Sequence, residues 1–200
     1  MNQLAMLLAS VFSSGTVLAL AALGLLINEK SGVINLGAEG LMLCAALAGF
    51  AVGVHTGNGW LGFAAGMAAG AVLAGLLGVL VIWLNANQYA AGLALSLFGA
   101  GLSAFMGTPY TQASLPAQEH FAVPLLSDIP LLGQALFMQH PVVYVGMAVA
   151  VFLVWFLYRS RAGLILRSVG EAPQSAHALG YNVRGIRWGA MVAGGGLCGL

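Results

Sequence analysis

The sequence predicts an all-α fold, a polytopic transmembrane helix bundle forming one domain over residues 1–200, and three observations predict it. Only 6% of the residues are charged and 60% are apolar, far from the roughly 25% charge of a soluble domain. No Asp, Glu, Lys or Arg occurs between Gly40 and Gln118, a stretch with room for several spans of about 20 apolar residues each. Five of the six basic residues, Arg159, Arg161, Arg167, Arg184 and Arg187, crowd into one short later segment. Hydrocarbon offers no partner to a backbone N–H or C=O, so apolar runs of this length fold as helices.

The expected spans are 4–27, 34–54, 60–84, 88–107 and 141–158, with a sixth, 188–200, incomplete. The first lacks a basic leader, and another apolar run follows Asn28-Glu29-Lys30, so it is a retained span rather than a cleaved signal. The second opens among Gly32, Gly37 and Gly40, which weaken a helix and permit an unwound stretch. The third carries small residues every fourth position, Gly62, Gly66, Gly70, Ala74 and Gly78, and the fourth repeats this with Gly92, Ser96, Ala100 and Ala104. Such strips let helix backbones approach closely, which is how helices associate in lipid; a glycine-lined pathway is the alternative use. Pro109, Pro116, Pro124, Pro130 and Pro141 prevent residues 108–140 from forming one helix, and apolar stretches between them suggest an ordered cap with a short helix. The last run ends Gly194-Gly195-Gly196-Leu197-Cys198-Gly199-Leu200 without a polar flank. The chain is therefore expected to be the N-terminal part of a longer protein, truncated at the C-terminus.

Arginine-rich short loops remain cytoplasmic, which places 159–187 inside. Alternation then puts the 108–140 loop and the His55–Gly59 turn outside, and Asn28–Val33 and Asn85–Gln88 inside.

Glu39 is the only acid well inside an apolar span. A charge at mid-bilayer costs roughly 2.5–3.5 kcal/mol on insertion scales, so Glu39 must face protein, water or a partner. Asn35 lies four residues earlier and shares its face if the segment is helical. The pair either lines a cavity at a broken helix, a recurrent place for transporter sites, or sits near the inner interface and ties this span to a neighbour. Asn85, Asn87 and Gln88 form a polar turn, and His55, His120 and His140 are expected to be solvated loop residues. Within the arginine-rich segment, Pro173 suits a first helical position, Glu171 lies where the helix dipole favours negative charge, and Gly180 suits a left-handed stop. These predict a short helix over 173–179, presenting Ala176, Ala178 and Leu179 for docking or simply joining arginines that hold lipid headgroups.

Three strings resemble the permease subunits of bacterial ATP-binding cassette (ABC) importers, the family of branched-chain amino-acid and ribose-type permeases, and within it the nucleoside and simple-sugar branch. They are Glu29-Lys30-Ser31-Gly32-Val33-Ile34-Asn35-Leu36-Gly37-Ala38-Glu39-Gly40-Leu41-Met42, Ala86-Asn87-Gln88 leading into Gly92-Leu93-Ala94-Leu95, and Gly163-Leu164-Ile165-Leu166-Arg167-Ser168-Val169-Gly170-Glu171-Ala172-Pro173. The resemblance implies a multi-pass protein of the bacterial cytoplasmic (inner) membrane, forming the pathway for a nucleoside or simple sugar. It implies a separate ABC ATPase subunit, an external solute-binding protein and a second permease, identical or paralogous. The 173–179 helix becomes the coupling helix of a 159–187 coupling segment, with Arg167, Gly170, Glu171, Pro173, Ala176 and Gly180 as the ATPase-coupling residues. Asn35, Glu39, Asn87 and Gln88 become the candidate substrate-pathway residues. Ala172 departs from the Asn frequent in close relatives.

The alternatives are a branched-chain amino-acid permease of the same family and a non-transporting structural membrane subunit. The sole lysine, Lys30, has no phosphate-binding glycine loop before it, so ATP chemistry, if coupled, belongs to another chain. One buried acid without a partner speaks against a membrane-embedded enzyme and its catalytic residues. No clustered ligands suggest a metal or cofactor, the isolated Cys44 and Cys198 suggest no disulfide, and no basic, aromatic-interleaved tract suggests nucleic acid.

Overall fold

The computed structural model describes residues 2–113 and 141–200, all helical or in turns and short connections. Eight α-helices occur among the described residues: α1 Asn2–Lys30, α2 Ala38–Thr56, α3 Gly59–Gly78, α4 Gln88–Gly107, α5 Pro141–Arg159, α6 Arg161–Glu171, α7 Pro173–Ala178 and α8 Val183–Cys198. A π-turn, Val79–Trp83, extends α3, and a 3₁₀ turn, Thr108–Tyr110, follows α4. Among the described residues, five helical stretches are long and apolar enough to cross a membrane: Ser10–Lys30, Ala38–Thr56, Gly59–Trp83, Gln88–Tyr110 and Pro141–Arg159. The chain is a multi-pass membrane helix bundle. The expected cap helix, His120, His140 and three of the loop prolines lie outside the described residues.

Neighbouring helices pack in the spatial order α4, α2, α3, α8, α1, α5, so the last helix in sequence is wedged between the first and third. What admits it is glycine. A Cβ on Gly24 of α1 would strike the Gly194 carbonyl, one on Gly70 the Gly195 carbonyl, and one on Gly66 the Gly199 carbonyl. Without side chains at these positions, backbone meets backbone and many weak dispersion contacts accumulate.

The small-residue strip of α3 is buried along its whole length, as expected for a packing seam. A step of four residues advances about 400° round a helix of 3.6 residues per turn, so the row drifts by about 40° per step. The drift carries it from one neighbour to the next: Gly62 faces Gly49 of α2, Gly66 faces both Ala45 and Gly199, Gly70 faces Gly195, and Gly78 meets Trp188 and Met191. The strip expected on α4 needs correcting for the same reason. Gly92 and Ser96 do face the bundle, Ser96 Oγ donating to the Leu36 carbonyl at 2.9 Å, but Ala100 and Ala104 have drifted off the seam and are exposed. Gly99, seven residues after Gly92, takes the contact instead and presses on the backbone of Gly40.

Two element boundaries also differ from expectation. Residues 34–37 are not helical; α2 begins at Ala38. The last helix starts at Val183 rather than near Trp188, because Asn182 caps it by accepting from the Gly185 N–H at 3.0 Å. Arg184 and Arg187 therefore ride on its first turns.

Candidate functional site

Two loops and two helix ends converge at one end of the bundle on an open cleft of about 1200 Å³. Its walls are Gly32 and Val33 after α1, the turn Asn85–Tyr89, Pro173, Gln174 and His177 of α7, and Gly180–Arg184 with Arg187. At the opposite end, His55 at the close of α2 shares a hydrogen bond of 3.1 Å with Tyr110 Oη and lies edge-on to its ring, so it is partnered rather than simply solvated.

Each wall is fixed by local chemistry. Asn87 caps α4, its Oδ1 accepting from the N–H groups of Tyr89 at 3.0 Å and Ala90 at 3.3 Å. Gln88 Oε1 accepts from the Ile34 N–H at 3.1 Å, tying the start of α4 to the unwound segment. Asn85 takes a left-handed backbone (φ 51°), a conformation that Asn tolerates better than most residues. The helix α7 begins on Pro173 as expected and stops one residue short of the expected 179. Gly180, at φ +88°, supplies the left-handed stop; its N–H reaches the His177 carbonyl and the Tyr181 N–H reaches that of Ala176, a Schellman closure. Ala176 is buried, the one buried residue of α7.

A helix absent from the sequence reading, α6, leads into α7. Ser160 caps it by accepting from the Gly163 N–H at 2.9 Å, and Gly163, Leu166 and Val169, three apart, form its buried face. The Ser160 cap before that spacing is the signal that would have found it. Arg167 and Glu171 lie on this helix, away from the cleft lining. Their charged atoms stand 3.9 Å apart with Glu171 mostly exposed, and Arg167 also covers the Tyr158 ring at 4.9 Å. A long i,i+4 pair with its carboxylate exposed contributes little.

Where α6 ends, it abuts the end of α1. Gly170 meets the Lys30 carbonyl so closely that no Cβ would fit. Beside it, Gly32 (φ +83°) ends α1 through another Schellman closure, with Gly32 N–H to the Glu29 carbonyl and Val33 N–H to that of Asn28. Between the two helix ends lies Arg187 of α8. Its Nε donates to the Ser31 carbonyl at 3.1 Å and its Nη2 to the Val169 carbonyl at 3.4 Å. Arg187 is the residue that sequence reasoning missed, counted there only as one charge among five.

The expected pairing of Asn35 with Glu39 does not occur. The helix that would put them on one face is absent at Asn35, whose Oδ1 instead accepts from the Gly37 N–H at 2.9 Å in a local turn. Asn35 is buried while Glu39, in the first turn of α2, is exposed, and neither lines the cleft. Of the expected site residues, the structure brings Asn87, Gln88, Pro173 and Gly180 together in one cleft, sets Gly170 just behind it, and keeps Asn35, Glu39, Arg167 and Glu171 apart from it. A second groove, of about 670 Å³ between α1, α5, α6 and α8, is lined almost wholly by apolar residues such as Ile27, Phe152 and Leu166 and offers no charged group to a polar solute. Among the described residues no cluster of His, Cys, Asp or Glu could hold a metal ion.

Comparison with known proteins follows this architecture. The family described as branched-chain amino acid transport system / permease component matches residues 7–200. The chain is 43% identical over 96% of its length to the "Putative glucose ABC transporter permease protein TsgC13" of Haloferax volcanii. It is 31% identical over 100% of its length to the nucleoside ABC transporter permease protein NupC of Lactococcus lactis, and 35% identical over 91% to the guanosine ABC transporter permease protein NupQ of Bacillus subtilis. It spans 60%, 66% and 62% of these three relatives respectively. No solved structure matches it. Five apolar spans, a glycine-built bundle and a match along nearly the whole chain agree: the protein belongs to the branched-chain amino acid transport system permease-component family.

Proposed function

We propose that this chain is the permease subunit, or the N-terminal part of one, of an ABC importer in the cytoplasmic membrane, and that its cargo is a nucleoside or a simple sugar. The cargo reading rests on the relatives, whose names specify glucose, nucleoside and guanosine. The observation that carries the mechanism is the cleft. It joins a short, Pro-initiated helix flanked by arginines to the Asn85–Tyr89 turn between two spans. A six-residue helix is marginal by itself in water, so α7 serves as a docking element, held by the buried Ala176 and its Schellman closure.

In this reading the cleft end faces the cytoplasm, in line with its arginines, and α7 is the coupling helix that receives a separate ATPase subunit. Asn87 and Gln88 then hold the inner mouth of the pathway in shape by capping α4 and gripping Ile34. A second permease completes the pathway, and an external binding protein delivers the solute to the opposite end. Glu39, exposed on this chain alone, faces that second permease or the pathway between the two.

Deleting the gene and following uptake of labelled guanosine, uridine, glucose and ribose tests the proposal. Uptake of at least one solute is expected to fall at least tenfold, and an ATPase is expected to co-purify with the tagged full-length chain. Unchanged uptake of all four with no ATPase recovered would overturn it.

A further inference from the structure

The coupling segment and the unwound start of the second span are joined by one side chain, and the backbone chemistry explains why. In an α-helix the Val169 carbonyl would accept from the N–H of residue 173, but that residue is Pro173 and has none. The proline that starts α7 thereby orphans a carbonyl in the last turn of α6, at a residue that is fully buried. Ser31, also fully buried, lies just beyond the end of α1, where the Schellman closure satisfies the carbonyls of Asn28 and Glu29 but not its own. Two helix C-termini, each carrying partial negative charge, thus present unpaired carbonyls to the same space. The Arg187 guanidinium fills that space and donates to both. Gly170 and Gly32 make the approach possible, since a Cβ on Gly170 would drive the ends of α6 and α1 apart and one on Gly32 would press on Arg187 and on the Gly170 backbone.

We infer that Arg187 is a positioning residue that transmits movement of the coupling segment α6–α7 to the unwound segment 31–37. The inference rests on the coupling reading of α7 proposed above. A pull on α7 acts on α6 through the continuous chain at Ala172, and α6 can shift only by carrying the Ser31 carbonyl with it or by breaking the Arg187 bridge. Segment 31–37 continues directly into α2 and is held on its other side by Gln88. Displacement of Ser31 therefore reaches both α2 and α4, the two spans whose first turns carry Glu39 and Gln88. Charge-assisted bonds to two carbonyls suit this task better than apolar packing, because the donor geometry fixes direction as well as distance.

The test is hydrogen exchange on the complete transporter, full-length permease with its ATPase, compared without nucleotide and after trapping with ATP and vanadate. In the wild type, trapping is expected to change exchange at both 173–183 and 31–37 by at least threefold. In Arg187→Ala the change at 173–183 is expected to persist while that at 31–37 falls below 1.5-fold, with uptake per ATP hydrolysed reduced at least tenfold. Arg187→Lys, which keeps the charge but has a single donor centre, is expected to fall between the two. A wild-type response at 173–183 with none at 31–37, or an unaltered 31–37 response in Arg187→Ala, overturns the inference. No response at 173–183 in the wild type would instead remove the coupling reading beneath it. If Arg187→Ala does not assemble, the wild-type comparison and the lysine variant still decide.

Discussion

The glycine seam in the middle of the bundle and the joint at its cleft end solve the same problem, close approach of two backbones, in different ways. In the seam, Gly70 of α3 lies against the Gly195 carbonyl of α8, and that carbonyl already accepts from the Gly199 N–H. Nothing more is required than the absence of side chains. At the joint, Gly170 lies against the Lys30 carbonyl, but the neighbouring carbonyls of Ser31 and Val169 sit at helix ends and lack helical donors. Close approach there would bury unpaired acceptors, a cost of about 1–3 kcal/mol each, unless a donor is supplied; Arg187 supplies it. Helix middles can be joined by shape alone, whereas helix ends need chemistry. A joint made of chemistry can be altered by movement, a seam made of shape much less so.

The largest effect expected from breaking the seam is that of Gly195→Val. A Cβ there already collides with the Cβ of Ala74 and comes within 2.6 Å of the Gly70 carbonyl. Overpacking commonly costs 1–3 kcal/mol, and here both contacts are with a helix that cannot retreat without losing α2, so folded protein recovered in detergent is expected to fall about tenfold or more. Gly101→Ala sharpens the comparison. Among the described residues no atom lies within 4 Å of a Cβ at that position, and the change favours a helix by up to about 1 kcal/mol, so recovery should equal or exceed wild type.

A middle-sized effect is expected at the cleft. Asn87→Ala removes the cap of α4, at about 1 kcal/mol, and Gln88→Ala removes the bond to the Ile34 N–H, at about 0.5–1.5 kcal/mol. Each should lower the melting temperature by about 2–4 °C for a chain of this size. The pair separates by location: hydrogen exchange near Ile34 should rise in Gln88→Ala and not in Asn87→Ala. Equal exchange near Ile34 in both would mean that the side-chain bond does not hold the unwound segment.

The smallest effect is expected for Glu171→Gln. At 3.9 Å from Arg167 and mostly exposed, Glu171 contributes less than about 0.5 kcal/mol to stability, and the melting temperature should not move measurably. A loss of solute-stimulated ATP hydrolysis in this variant would therefore report docking of the ATPase. A clear loss of stability instead would place Glu171 in the joint and blur the contrast drawn above.

Much of the site was legible one residue at a time. Pro173 and Gly180 marked the ends of α7 because proline and left-handed glycine each have one physical use there, whereas Asn87, read as part of a polar turn and a pathway residue, proved to be the cap of α4. The broken start of the second span was foreseen from Gly32, Gly37 and Gly40, but not its consequence, that Asn35 turns inward on Gly37 while Glu39 turns outward. Helix α6 escaped notice because its buried face is three short contacts, Gly163, Leu166 and Val169, inside a segment dominated by charge.

By itself the sequence determined what depends on local composition and spacing. The apolar runs within the uncharged stretch from Gly40 to Gln118 must be helical in hydrocarbon, small residues must mark where backbones can touch, and the arginines must mark one end. Only the tertiary structure decided which helix those surfaces meet. The fourfold row on α3 stays buried because its drift is caught first by α2 and then by α8, while the same row on α4 drifts into the open because, among the described residues, no third helix is there to receive it. Arg187 and Ser31 are 156 residues apart in sequence. No local pattern joins them, since what pairs them is an unsatisfied carbonyl at each of two helix ends, and that vacancy exists only once the helices have met.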